Sequence, residues 1–131
     1  VTRILDLPLL KFAMVIANNE DWTDAWTYVD EADAPISLAG ITLTMMLRTI
    51  ADDPTVQIVA ASVSGLVNGL PQNGSVVSGG DGLNVVALSI PKVSVGKLSA
   101  GEYVFEVQAS GDGQTRNIAT GPVTVNQGVV R

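Results

Sequence analysis

The chain has 131 residues, room for one domain with its own core; 47% are apolar, 15% are charged, and the net charge is −6. That balance excludes counterion-driven binding to nucleic acid, because seven basic residues face thirteen acids and do not cluster. With no Cys and no His, the chain also lacks disulfides, thiolate chemistry and the commonest general base and metal ligand.

The charged fraction lies below the roughly 25% usual for soluble domains. The surface must therefore carry Ser, Thr, Asn, Gln, Gly and apolar groups, and such a surface is easier to bury against neighbours. No apolar run reaches the ~20 residues of a membrane span. The start, Val1 to Pro8, has no charged segment leading into a long apolar one, so no signal peptide is expected.

In chain order, Leu9 to Ile16 predicts a strand with Leu10, Phe12, Met14 and Ile16 on one face. Asn18 to Asp24 predicts an acidic loop, and Ala25 to Val29 a short strand carrying Trp26 and Tyr28. Asp30 to Pro35 predicts a second acidic turn. Pro35 and Gly40 bracket a bend, and Ile41 to Thr49 then alternates. Ile41, Leu43, Met45 and Leu47 share one face, Thr42, Thr44, Met46 and Arg48 the other, the mark of a central strand.

Ala51-Asp52-Asp53-Pro54 predicts a turn and Thr55 to Ser62 a strand. Residues 64–82 hold six glycines, one Pro and two Asn, which predicts a long loop with a short strand near Ser75–Ser78. Leu83 to Ile90 predicts a strand and Pro91 to Ser99 a helical crossing of one or two turns. Glu102 to Ala109 alternates again, Ser110 to Gly113 is a hairpin turn, and Gln114 to Val125 closes the sheet with a bend at Gly121-Pro122. Strands every ~8–12 residues with turn chemistry between them predict an all-β sandwich.

Leu98-Ser-Ala-Gly101-Glu-Tyr103 is the sharpest local pattern. In immunoglobulin-like sandwiches, a Leu three residues before Gly and a Tyr two beyond mark the corner that opens a late strand. Leu98 is then core, Gly101 the turn, and Tyr103 the anchor whose hydroxyl ties back to backbone. The predicted fold is accordingly an Ig-like antiparallel sandwich of about seven to nine strands. It spans residues 1–131 as a single domain, with at most one short helical turn and extended tails at both ends.

Candidate chemistry is sparse. Glu20, Asp21, Asp24, Asp30, Glu31 and Asp33 leave a weak possibility of calcium at loops 20–33, although their spacing matches no EF-hand and turn capping explains them equally. Otherwise no cofactor or metal is expected. Trp22 and Trp26 are possible ligand contacts, able to stack on a sugar, against the plainer reading that they cap the core. Asp52 and Asp53 are sequence neighbours beside Pro54, a turn rather than a carboxylate pair. Without His no serine triad can form, so no enzyme is expected.

Several stretches together resemble a group of small bacteriophage and prophage virion proteins. They are Asp21-Trp22, Asp30 to Pro35, Ile36-Ser-Leu-Ala-Gly40, Met46-Leu-Arg48, the Leu98/Gly101/Tyr103 corner, and Gly121 followed by Val123 and Val125. The N-terminal module of phage baseplate upper proteins is one relative. The resemblance implies an Ig-like sandwich that joins particle parts. It would be a tail baseplate or fibre-junction adaptor, or a capsid decoration protein, assembled in the bacterial cytoplasm and carried in the virion. Its partners would be other virion proteins and further copies of itself, with no nucleic acid and no membrane. No functional residue carries over, because the shared residues build the fold. Val1, Arg3, Leu5, Val129 and Arg131 are possible assembly contacts on the tails. The alternative is a carbohydrate-binding sandwich for a receptor or cell-surface glycan.

Overall fold

The structure, a computed structural model, describes residue 4 and residues 7–129. Among the described residues, nine strands and one helical turn run β1 (Leu10–Lys11), β2 (Met14–Ala17), β3 (Trp22–Thr27), β4 (Thr42–Arg48), β5 (Ile58–Ala61), β6 (Gly74–Gly79), β7 (Val85–Ile90), α1 (Lys92–Val95), β8 (Gly101–Gly111) and β9 (Gln114–Asn126). The pairing order is β1-β9-β8-β4-β5-β6-β7-β3, with β2 also on β9. Only two residue pairs join β5 to β6, so the path folds there into two leaves. One leaf is β3-β7-β6; the other is β1/β2-β9-β8-β4-β5. This is an Ig-like β-sandwich: the fourth, eighth and ninth strands form the centre of one sheet, the third, seventh and sixth the other.

Alternation puts one face of each leaf in a shared core. Leu43, Met45 and Leu47 are fully buried in β4, opposite Ala109, Val107 and Phe105 of β8. Val76, Val86, Leu88, Ile90 and Trp22 supply the facing leaf. Each such aliphatic side chain contributes roughly 1.5–3 kcal/mol of burial. Phe12, Trp26 and Phe105 meet between the leaves, with ring centroids 5.2 Å apart for Phe12 to each of the other two.

Most pairings are antiparallel, but β1 and β2 run parallel to β9, and β5 parallel to β6. The expected first strand is interrupted. Lys11 pairs with Thr120 and Met14 with Val123, the same register on either side of a gap at Phe12 and Ala13. The gap faces Gly121-Pro122, where Pro has no N–H to give the ladder. Phe12 N–H still donates to the Thr120 carbonyl at 3.1 Å. A Cβ on Gly121 would stand 1.7 Å from the Phe12 carbonyl oxygen, so the crossing requires glycine.

Two other boundaries differ from expectation. β3 begins at Trp22, inside the stretch expected to be loop, because Trp22 pairs with Ile90 and its side chain is 1% exposed. The terminal stretches are partly docked: Ile4 and Leu7 are buried, and the Arg116 Nε–H donates to the Leu7 carbonyl at 2.5 Å. At the other end, Gly128 N–H donates to Asn18 Oδ1 at 2.9 Å, while Asn18 Nδ2 donates to the Leu98 carbonyl at 3.1 Å. A Leu7→Ala substitution should cost about 2–4 kcal/mol, measured as a lowered urea midpoint. A tail held outside the core would cost a few tenths at most.

The β8–β9 hairpin turns through Asp112 and Gly113 at φ +50° and +76°, the paired positive values of a two-residue turn. Beyond it, Val107 pairs with Ala119 and Gln108 with Asn117, which leaves Ile118 as an extra residue in β9. The bulge buries Ile118 and Ala119 in succession. It also frees the Ile118 carbonyl, which accepts the Tyr28 hydroxyl at 2.6 Å. Trp26 Nε1–H in turn donates to the Tyr28 oxygen at 3.1 Å. Tyr28 thus pins the β3 leaf to β9, in a chain that has no disulfide to do so.

A candidate recognition groove on the outer sheet face

The corner at residues 98–103 is a structural device. Leu98 is buried, Gly101 has φ +153°, and the Tyr103 hydroxyl donates to the Ser99 carbonyl at 2.7 Å. A Tyr103→Phe substitution should cost about 1–2 kcal/mol by thermal or urea melting, since it leaves that carbonyl without its donor. No measurable change would mean that water serves the Ser99 carbonyl equally well.

The two tryptophans offer little to a ligand. Trp22 lies in the core, and its indole N–H has no partner. Trp26 is partly buried, with its N–H given to Tyr28 and its ring against Phe12. Two of the six acids of residues 20–33 serve the backbone: Asp21 accepts Lys92 N–H at 2.7 Å, and Asp30 accepts the N–H groups of Ala32 and Ala34. Among the described residues no three such side chains converge on a metal position. Asp53 accepts the Thr49 hydroxyl and Thr55 N–H, and these bonds, the Thr49 one foremost, hold its carboxyl below the usual value. That is turn chemistry rather than half of a catalytic pair. Of the possible assembly contacts, Val129 is almost fully exposed, and Val1, Arg3, Leu5 and Arg131 lie outside the described residues.

Two cavities sit side by side on the solvent face of β4, β8 and β9. One, about 350 Å³, is polar and is lined by Thr44, Gln108, Ser110 and Thr115, with Val67 and Asn68 as a wall. Its neighbour, about 230 Å³, is more apolar and includes Ala51, Val104 and Pro122. Met46, Arg48 and Glu106 line both. The register explains the grouping: Thr44 faces Gln108, Met46 faces Glu106, Arg48 faces Val104, and Glu106 faces Thr120. Strand alternation sends all of these away from the core.

The wall comes from the glycine-rich stretch after β5. Val67 and Leu70 exchange backbone hydrogen bonds at 2.9 Å across a tight turn, with Asn68 and Gly69 both at positive φ. The base of the loop is held by side-chain amides. Gln72 accepts Ala61 N–H and donates to the carbonyls of Val63 and Gly65, and Asn73 accepts Val59 N–H. Covered by this loop, β5 is buried on both faces.

Arg48 is the unusual member. Its Nη2 donates to Met46 Sδ at 3.6 Å, while its Nε–H is buried and has no partner. A guanidinium N–H without an acceptor is costly when hidden from water. A third concavity, a broad depression of about 640 Å³ near α1, is lined by Asn18, Asn19, Lys92, Val93, Gly96 and Lys97. None of these lining groups is a buried donor left without an acceptor. Sequence reasoning placed Thr44, Met46 and Arg48 on one face of β4 but gave that face no role. The signal was available in an Arg set into an otherwise uncharged outward row.

The fold places the chain among Ig-like sandwiches. No family model matches it, and no curated protein does. Among solved structures, it is similar to the second Ig domain of the mouse polymeric immunoglobulin receptor. That likeness has a TM-score of 0.48 and 13% identity, over 92% of this chain and 99% of that one.

Proposed function

We propose that this chain is a non-enzymatic structural subunit on the exterior of a bacteriophage particle. It serves as an assembly or adaptor piece at the tail baseplate or fibre junction, or as a capsid decoration protein. It is made in the bacterial cytoplasm and carried in the virion in repeated copies against other virion proteins. The particle assignment rests on the sequence resemblance at the Pro35–Gly40 bend, the Leu98–Tyr103 corner and the Gly121–Val125 strand. The observation that carries the assembly role is the open edge of β3. Among the described residues that strand pairs with β7 alone, and it points Thr23, Ala25 and Thr27 at solvent. An unpaired edge with small, uncharged outward side chains can take a further strand from a neighbour.

The test is to band phage or induced prophage particles that encode the chain and to analyse them by mass spectrometry. The reading expects the chain in purified particles. It also expects incorporation to fall in an Ala25→Lys variant that still folds, because a lysine on the edge opposes strand addition. Particles that lack the chain would overturn it.

A further inference from the structure

We propose that the paired cavities on the β4–β8–β9 face bind an acidic saccharide, a sugar bearing a carboxylate. This stands apart from any role in a particle. Three observations point the same way. First, Arg48 lines both cavities, and its Nη2 has only the Met46 thioether, a weak acceptor, at 3.6 Å. A guanidinium presents a planar fork of donors that matches a carboxylate, and its Nη groups would gain a charge-assisted bond in place of the weak one to sulfur. Second, the larger cavity is lined by hydroxyls and amides, those of Thr44, Ser110, Asn68 and Gln108, with the Glu106 carboxylate beside them. Such groups exchange hydrogen bonds with a ligand rich in hydroxyls, and Glu106 can accept from them. Third, the site lies on the middle of a sheet rather than on its edge. β4 is flanked by β5 and β8, and β8 by β4 and β9, so their ladders are occupied. A peptide strand would find no free backbone to pair with, and the ligand must be read by side chains.

The combined space falls within the roughly 300–1,000 Å³ usual for small-molecule sites. The smaller, more apolar cavity, with Val104 and Pro122 on its lining, suits a methyl-bearing substituent such as an acetyl group. The wall at Asn68 is fixed by its tight turn, so the groove is formed before any ligand arrives.

The experiment is an amide and Arg Nε–H NMR titration of the full chain. The probes are D-glucuronic acid and N-acetylneuraminic acid, with glucose and acetate as separate arms. The proposal expects saturable shifts at Thr44, Arg48, Asn68, Glu106 and Gln108 with an acidic sugar, and affinity at least roughly tenfold weaker for glucose and for acetate. Arg48→Gln should abolish the shifts while the spectrum stays dispersed. Should that variant not fold, Asn68→Ala and Gln108→Ala should each weaken binding several-fold. Shifts of equal affinity with acetate would reduce the site to a carboxylate contact and overturn the saccharide. So would equal binding of glucose, unchanged binding in the variants, or no shift up to about 50 mM of either acidic sugar.

Discussion

Replacing Gly121 by Ala should cost the fold about 3 kcal/mol or more, or prevent folding outright. Gly121 sits where β9 passes under the break between β1 and β2, and an added Cβ would meet the Phe12 carbonyl oxygen at 1.7 Å and its carbon at 2.7 Å. Both atoms are backbone, so no side-chain rotation relieves the clash. The strand itself must move, and with it the parallel pairing of Met14 to Val123. Phe12 also anchors the aromatic cluster with Trp26 and Phe105, so the displacement reaches the core. Gly113→Ala is the control. That glycine has φ +76° and open space around its Cβ position, so its cost is conformational, about 1 kcal/mol. Urea midpoints compare the two. A Gly121→Ala protein no less stable than Gly113→Ala would show that the strands do not cross this closely.

Tyr28→Phe should cost about 2–3 kcal/mol. The ring and its packing remain, but the Ile118 carbonyl loses its donor and Trp26 Nε1–H loses its acceptor. A Phe that were neutral here would mean that water replaces the hydroxyl, and the pin between the leaves would not exist. The same group gives a pH signature. Burial pushes the Tyr28 phenol up from 10.0 to about 12, the Trp26 N–H offsetting part of the rise. A pKa raised on folding means that the folded state holds the proton more tightly. The contribution is therefore complete below pH 10 and is lost as the pH climbs through about 12. Wild-type stability should fall across that window more steeply than that of Tyr28→Phe. The absorbance of tyrosinate should show a late ionisation that the variant lacks. Parallel stability curves in the two proteins would contradict the burial of the phenol.

The strands that were legible in the sequence are those whose two faces meet different surroundings. β4 and β8 alternate between core and solvent along their length, and Leu43, Met45 and Leu47 could be placed inward from spacing alone. The hairpin at Asp112-Gly113 and the helical turn after Pro91 were readable for local reasons, positive φ in one and a proline start in the other. β3 was harder to delimit. Trp22 follows a run of turn-forming residues, and only its pairing with Ile90, far along the chain, makes it strand. The same holds for the break at Phe12, which is set by Pro122 on the neighbouring strand.

The groove was less legible still. Its floor is outward-facing residues from three strands, and its wall is the part of residues 64–82 that the sequence marked only as loop, ahead of the short strand expected near Ser75–Ser78. Gln72 and Asn73 turn that loop into a fixed wall by bonding to β5 and to the loop itself, a tertiary arrangement with no periodic trace. Arg48 was visible as a charge, but its unpartnered Nε–H becomes apparent only once Met46 lies beside it.

The most direct test of this architecture is a nuclear Overhauser experiment on the isotope-labelled chain. The two leaves held together by Tyr28 require strong contacts between the Tyr28 ring and Ile118, ninety positions apart, and between Phe12 and Phe105. Both should appear together with Trp22-to-Ile90 and Met14-to-Val123 strand contacts. Their absence in a folded sample, with β3 or β2 found beside other strands, would contradict the arrangement and remove the frame on which the groove is built.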